Sequence, residues 1–165
     1  MTAPAPRVPT DPDHFPATGP NSLAPLPHRL AARMIDLLVV GVPVAIVAIA
    51  VVEVRDGAID PESVPWWLLV VQVCLAVVYE TVAVALFGTT LGKWALGLRV
   101  ALYADGRRPD TGRAAQRALL PNVFAAVPLV FVAIGQWVVY ASCAFHPLRR
   151  GWHDRYAGTL VVRSR

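Results

Sequence analysis

HRLAARMIDLLVV, residues 28–40, opens an apolar run that extends from about Leu30 to Val52 with Arg33 and Asp36 as its only charges. The run is long enough to cross a hydrocarbon core of about 30 Å. A charged side chain near that core costs roughly 2.5–3.5 kcal/mol on insertion scales, so Asp36 needs compensation from nearby groups. Two arginines are at hand. Arg33 is three residues away and can pair with Asp36 directly. Arg29 is seven away on the same helical face, about 10 Å along the axis, which a long Arg side chain just spans. Pro43, further along, kinks the helix without stopping it, because neighbouring helices re-satisfy the freed carbonyl.

Composition agrees with a bilayer as the surrounding medium. The 165 residues are 56% hydrophobic and 16% charged, against about 45–50% and about 25% for soluble domains. The net charge of +4 raises nucleic acid as a partner. The basic residues, however, flank the apolar segments as membrane topology requires, so the partner is the lipid bilayer and no nucleic acid is expected. Cys74 and Cys143 lie in apolar segments and read as small packing residues. Residues 1–27 are dense in Pro and polar residues, lack the apolar core of a signal peptide, and read as a disordered or extended tail ahead of one membrane domain, 28–165.

A second apolar run, about Val64 to Phe87, begins with Pro65 and the interfacial pair Trp66 and Trp67 and carries Gln72, Tyr79 and Glu80 inside it. Between the two runs lies EVRDGAIDPES (53–63), an acidic, turn-rich loop. The segment from Gly88 to Arg117 is basic. A third apolar region, about Ala118 to Phe145, contains Pro121, Pro128 and Gly135. The first loop holds four acids and one Arg, so it faces outward and leaves the N-terminus cytoplasmic in the plasma (inner) membrane. One crossing by the third region would put the five Arg residues of the tail outside; a broken or re-entrant hairpin would return them to the cytoplasm. The hairpin is favoured because GLRVALYADGRRP alternates like a strand, GTLVV is a second β-branched run, and pairing them needs both on one face. The expected fold is an all-α membrane protein of three to four membrane-embedded helices with a small cytoplasmic two-stranded β element.

Two readings of the buried charges stand side by side. In one, Arg33 neutralises Asp36 and Arg29 reaches lipid phosphates, so the cluster only fixes topology. In the other, Asp36 and Glu80 lie at equal depth, each about seven residues from the cytoplasmic end of its helix, and share one low-dielectric site that holds a proton or a cation. GTTLGKW (88–94) fails as a phosphate-binding loop, with three residues between its glycines and Trp after its Lys. Thr89 or Thr90 instead caps a short segment, with Lys93 and Trp94 at headgroup level and the basic stretch up to Arg117 free for phospholipid contact. His153 and Asp154 have no triad partner and no metal-ligand spacing. Asp154 accepts bonds from an Arg or from backbone N–H groups and ties the tail to the membrane domain. Neither an enzyme activity nor a cofactor nor a metal is expected.

The series RLAARMID, GTTLGKWALGLRVALYADGRRP and GWHDRYAGTLVV, in that order, resembles the RDD family of small bacterial membrane proteins over about Pro27 to Val162. The resemblance maps the family's arginine onto Arg29 and its first aspartate onto Asp36; the second falls on Asp154 or Asp105. Arg33 and Lys93 stand within matching motifs, whereas Glu80 does not. The resemblance implies a membrane protein and, for some members, sodium/proton antiport. The expected function is cation- or proton-coupled transport through Asp36, Glu80 and Arg29. The alternative is a membrane scaffold or accessory subunit whose Arg–Asp network is structural. So few membrane segments enclose a pathway only as an oligomer, for which Ala45 to Ala50 offers a small-residue packing face; a homo-oligomer or a membrane partner protein is implied.

Overall fold

A computed structural model describes residues 10–60, 63–125 and 130–165. Residues 1–9 of the Pro-rich tail, 61–62 of the first loop and 126–129 of the third apolar region, including Pro128, lie outside the described residues.

Two long apolar helices come first. α1 (Leu26–Val51) runs through Pro43 without ending. α2 (Trp66–Phe87) follows after a hairpin of β1 (Val54–Arg55) and β2 (Ala58–Ile59), whose turn residues Asp56 and Gly57 both have positive φ, as a two-residue Asp-Gly turn demands. At 26 residues α1 is about 39 Å long. Both helices are long and apolar enough to cross a membrane. Most of their apolar side chains face outward: Ile46 is 63% and Ile49 83% exposed. In water such surface would be costly, whereas lipid tails solvate it.

The rest of the chain gathers at the end where α1 starts and α2 stops. Gly88, at φ +70°, ends α2 in a left-handed cap, a conformation open to Gly without a Cβ penalty. α3 (Leu91–Ala95), β3 (Leu98–Leu102), α4 (Thr111–Ala125), α5 (Val130–Ala141), a 3-10 turn at Ser142–Phe145, α6 (Trp152–Tyr156) and β4 (Thr159–Arg163) follow. β3 and β4 pair antiparallel in the register Leu98↔Arg163, Val100↔Val161 and Leu102↔Thr159, the two strands read from their alternating and β-branched patterns. α4 and α5 pack on each other, and α4 lies against α2.

The buried core consists of Ala24, Ala32, Val84, Leu98, Val100, Ala114 and Val161. It sits where the sheet meets the helix ends, not between the long helices. The last residues of the tail take the extended form, along β4. Asn21 and Ala24 donate their N–H groups to the carbonyls of Arg163 and Val161, at 2.9 and 3.2 Å, and Arg163 donates back to Ser22 at 2.9 Å. Leu23 bridges Val162, and Ser22 and Ala24 are buried. The free edge of β4 offers unpaired backbone groups, and an extended segment satisfies them.

α3 approaches α1 very closely at Gly92, where a Cβ would collide with the carbonyl oxygen of Ala32 and meet the Asp36 carboxyl carbon at 3.0 Å. Gly92→Ala is therefore expected to destabilise the protein by about 1–3 kcal/mol. Gly41→Ala, in α1 with open space around it, is expected to be neutral or slightly stabilising. Thermal unfolding of both variants in detergent checks the contrast.

Candidate functional site

Five elements bring their polar side chains to one buried cluster at this end of the helices. α1 supplies Arg29, Arg33 and Asp36, and α2 supplies Tyr79 and Glu80. α3 contributes Lys93, preceded by its cap Thr90. α4 contributes Arg117, and α6 contributes His153 and Asp154.

Asp36, 2% exposed, is clasped from two sides. Its Oδ2 accepts from Thr90 Oγ1 at 2.6 Å, and its Oδ1 accepts from the Gly92 N–H and the Tyr79 hydroxyl, each at 2.8 Å. Thr90 is available because it is the N-cap of α3, and Tyr79 is held in place by accepting from the Leu91 N–H at 2.9 Å. The ammonium of Lys93 stands 3.6 Å from Asp36 and 3.7 Å from Glu80. Glu80 in turn binds Arg117 Nη1 at 2.8 Å and Arg33 Nη1 at 3.5 Å. Arg117 is the hub of the far half, because its Nε also donates to Asp154 at 2.9 Å. Asp154 receives Arg29 as well, together with Thr159 Oγ1 at 3.3 Å and the Gly151 N–H at 3.4 Å. Arg29 donates further to the carbonyl of Arg149.

The result is one continuous chain of charge, Asp36–Lys93–Glu80–Arg117–Asp154–Arg29, with Arg33 attached at Glu80. Three carboxylates face four cations, so one positive charge is in excess. Such a network is stable only when every member is satisfied, since an unpaired ion in a low-dielectric site is strongly unfavourable. Around α6 the consequences for protonation are clear. Burial opposes ionisation of Asp154, but His153, Arg117 and Arg29 outweigh it and hold its carboxyl well below the usual carboxylate range. Burial pushes His153 down to about 4 against the pull of Asp154. Burial likewise lowers Lys93, against Glu80 and Asp36, which raise it.

Three sequence-based pairings are corrected. Arg33 turns to Glu80 and lies over the Tyr140 ring, 4.4 Å from its centre, instead of pairing with Asp36. Arg29 binds Asp154 rather than Asp36 or lipid phosphate. Lys93 points inward, only 9% exposed, while Trp94 is 65% exposed. Asp36 and Glu80 do meet at one level, but through Lys93 as a bridge. Of the two aspartates open for the second motif position, Asp154 is buried on Arg29, while Asp105 is exposed and bound to Arg107.

Arg117 is the functional residue that sequence reasoning missed, having been placed in the basic stretch. A signal for it exists. It shares the helical face of Ala114, Ala118, Pro121 and Asn122, all buried, at the i, i+3, i+4, i+7 spacing of a packed stripe.

Two cavities adjoin the network. A larger one of about 480 Å³ opens beside Arg29, Arg33, Lys93 and Arg117. A smaller one of about 90 Å³ lies beyond Asp36 and Tyr79 and is flanked by Gln72, Asn122 and Gln136.

His153 makes the stability of the protein depend on pH. Its folded pKa of about 4 lies below the ordinary value of about 6.5. Below pH 6.5 the unfolded chain therefore binds a proton that the folded chain refuses. Stability is full above pH 6.5 and falls towards pH 4, by about 1.4 kcal/mol per pH unit and about 3 kcal/mol in total. Melting temperatures across pH 4–8 should show this slope in the wild type and a flatter one in His153→Phe. The Asp154 contribution has the opposite kind of origin, a depressed carboxyl, and is lost only at lower pH, as the pH falls through and below the ordinary carboxylate range.

No curated protein and no solved structure matches the chain. The sequence profile of one family does, over residues 23–158, which include α1, α2, β3 and the whole charge network. The chain belongs to the RDD family and is a membrane protein of that family.

Proposed function

We propose that the protein is a non-enzymatic scaffold or accessory subunit of the plasma (inner) membrane, with its N-terminus and the β3–β4 sheet on the cytoplasmic side. Its buried network fastens a small polar cap to the membrane helices, and the cap is the face offered to a partner protein or a second copy. One observation carries this reading: the Lys93 ammonium stands between Asp36 and Glu80, at 3.6 and 3.7 Å. Carboxylates that exchange ions with solution need open coordination, and here the chain's own cations fill it.

The topology rests on charge and on connection. The first loop is acidic and the network end is rich in Arg, a bias that supports an inward-facing network end. α4 has 15 residues and α5 has 12, each short of the roughly 20 that cross a bilayer. Packed together, with Arg117 near the start of α4 bound to Asp154 and Tyr140 at the end of α5 stacked edge-on against His153, they support a re-entrant helical hairpin. In this reading the protein is multi-pass, with four membrane-embedded helices.

A second reading, cation- or proton-coupled transport in an oligomer, is favoured by the small cavity beside Asp36, whose Gln72, Asn122 and Gln136 lining would solvate an ion or a water. In this reading Lys93, its ammonium made less basic by burial, gives up a proton when a cation arrives.

Reconstitution in sealed vesicles separates the two. The scaffold reading expects sodium, potassium and proton gradients to decay no faster than in empty vesicles. It expects Asp36→Asn to cost about 3–5 kcal/mol of stability, by leaving Lys93 with Glu80 alone and by weakening the bonds from Thr90, Gly92 and Tyr79. Gradient-driven flux by the wild type, lost in an Asp36→Asn protein that remains folded, establishes transport and removes the scaffold.

A further inference from the structure

The larger cavity lies between the first turns of α1, the end of α5 and the Ser142–Phe145 turn, and its volume of about 480 Å³ falls in the roughly 300–1,000 Å³ range of small-molecule sites. Its lining divides by chemistry. Leu26, Leu30, Trp137, Ala141 and Ala144 form apolar walls, while Arg29, Arg33, Lys93 and Arg117 form a cationic floor. No carboxylate is among the described lining residues. Asp36, Glu80 and Asp154 stand behind the cations, which leaves the excess positive charge of the network at the cavity face.

Unpartnered polar atoms lie within the walls of the same cavity. Among the described residues four buried side-chain polar atoms lack a partner, and three of them, Arg33 Nε, Tyr140 OH and His153 Nδ1, belong to residues lining this cavity. Buried polar groups are ordinarily satisfied, and each exception calls for an explanation. Two of the three are donors. At His153, Nε2 lies 3.6 Å from Asp154, so the carboxylate favours the proton on Nε2 and leaves Nδ1 as an acceptor.

The mouth of the cavity is apolar and faces outward. Leu30 is 56% exposed and Trp137 42%. From Leu30 an exposed stripe continues through Met34 and Leu38, four residues apart on one face of α1, towards the middle of the membrane-crossing segment. A water-soluble anion has no use for such a stripe, whereas an acyl chain does.

We propose that this cavity seats the headgroup of an anionic phospholipid, a phosphodiester with a hydroxyl-bearing head, with an acyl chain lying along Leu30, Met34 and Leu38. A phosphodiester carries one negative charge, which matches the single cationic excess of the network. Arg29 and Arg33, whose side chains keep 10% and 11% of their surface exposed, turn their guanidinium charge to its phosphate oxygens. A choline head would bring an ammonium to a lining without a carboxylate, so zwitterionic lipid is disfavoured. The chemistry of this cavity is independent of whether the network moves ions.

The test uses the full-length protein in neutral detergent with phosphatidylglycerol, phosphatidylcholine or inorganic phosphate, following bound lipid by native mass spectrometry and stability by thermal unfolding. Phosphatidylglycerol is expected to be retained about ten-fold better than phosphatidylcholine and to raise the melting temperature, with no response to inorganic phosphate alone. Ala141→Trp fills the cavity and leaves every member of the charge network and all surface charge in place, and it is expected to abolish the preference. If that variant fails to fold, Ala144→Trp in the same wall is read in its stead. Equal retention of the two lipids, stabilisation by inorganic phosphate alone, or a folded cavity-filled variant that keeps the preference overturns the proposal.

Discussion

Arg117 holds two carboxylates at once, Glu80 at 2.8 Å and Asp154 at 2.9 Å, and much of the rest of the structure depends on that double contact. Glu80 belongs to a long apolar helix, and Asp154 belongs to the short helix that leads into β4. Neither could be buried alone, because an isolated ion in a low-dielectric setting is prohibitively unfavourable. Both are buried together because one guanidinium presents separate N–H groups in a fixed fork. Lysine would serve less well here, since one nitrogen cannot offer each carboxylate its own short bond in a fixed plane. Lys93 has the looser task, standing at 3.6 and 3.7 Å from its two acids, where a compact ammonium suffices.

The network also replaces what a small membrane domain lacks. Between lipid-facing helices there is little hydrophobic drive, because lipid tails are as apolar as the side chains they replace. The apolar core of this protein is accordingly small, made largely of Ala and Val, and confined to the sheet end. Charge pairing with strict geometry supplies the specificity there. It fixes the depth of α1 against α2 through Asp36, Lys93 and Glu80, and it fixes α6 against α4 through Asp154 and Arg117. Gly92 is part of the same arrangement, since only a residue without a Cβ lets α3 bring its N–H to Asp36.

The parts of this structure that were legible in sequence are those set by local chemistry. Leu98, Val100 and Leu102 alternate and form β3; Thr90 caps α3; Trp66 and Trp67 open α2. Asp154 was readable as an acceptor for Arg and backbone N–H because no other chemistry suited it. The partners of the charges were not legible. Three-residue spacing favours an Arg33–Asp36 pair, but Asp36 is taken by Thr90, Gly92 and Tyr79, so Arg33 goes to Glu80 on the next helix. That outcome depends on how closely α3 approaches α1, which spacing along one helix cannot convey. Lys93 misleads for a similar reason. Beside Trp94 it looks interfacial, but consecutive side chains on a helix leave about 100° apart, so Lys93 is buried while Trp94 is exposed.

The surplus cation of the network bears on function more than its pairs do. A purely structural network gains nothing from a fourth cation, and an odd positive charge beside a low-dielectric medium is costly unless something offsets it. Water offsets it in a polar vestibule, but the larger cavity is walled by Leu, Trp and Ala at its mouth. A counter-ion that is itself amphiphilic satisfies both the charge and the walls. The smaller cavity shows the contrast. Its polar lining consists of the amides of Gln72, Asn122 and Gln136, the already clasped Asp36 with Tyr79, and Arg33. Arg33 reaches both cavities, so a ligand that draws its guanidinium towards the larger one alters the polar surroundings of the smaller. Any coupling between lipid and ion in this protein therefore runs through Arg33 and its hold on Glu80.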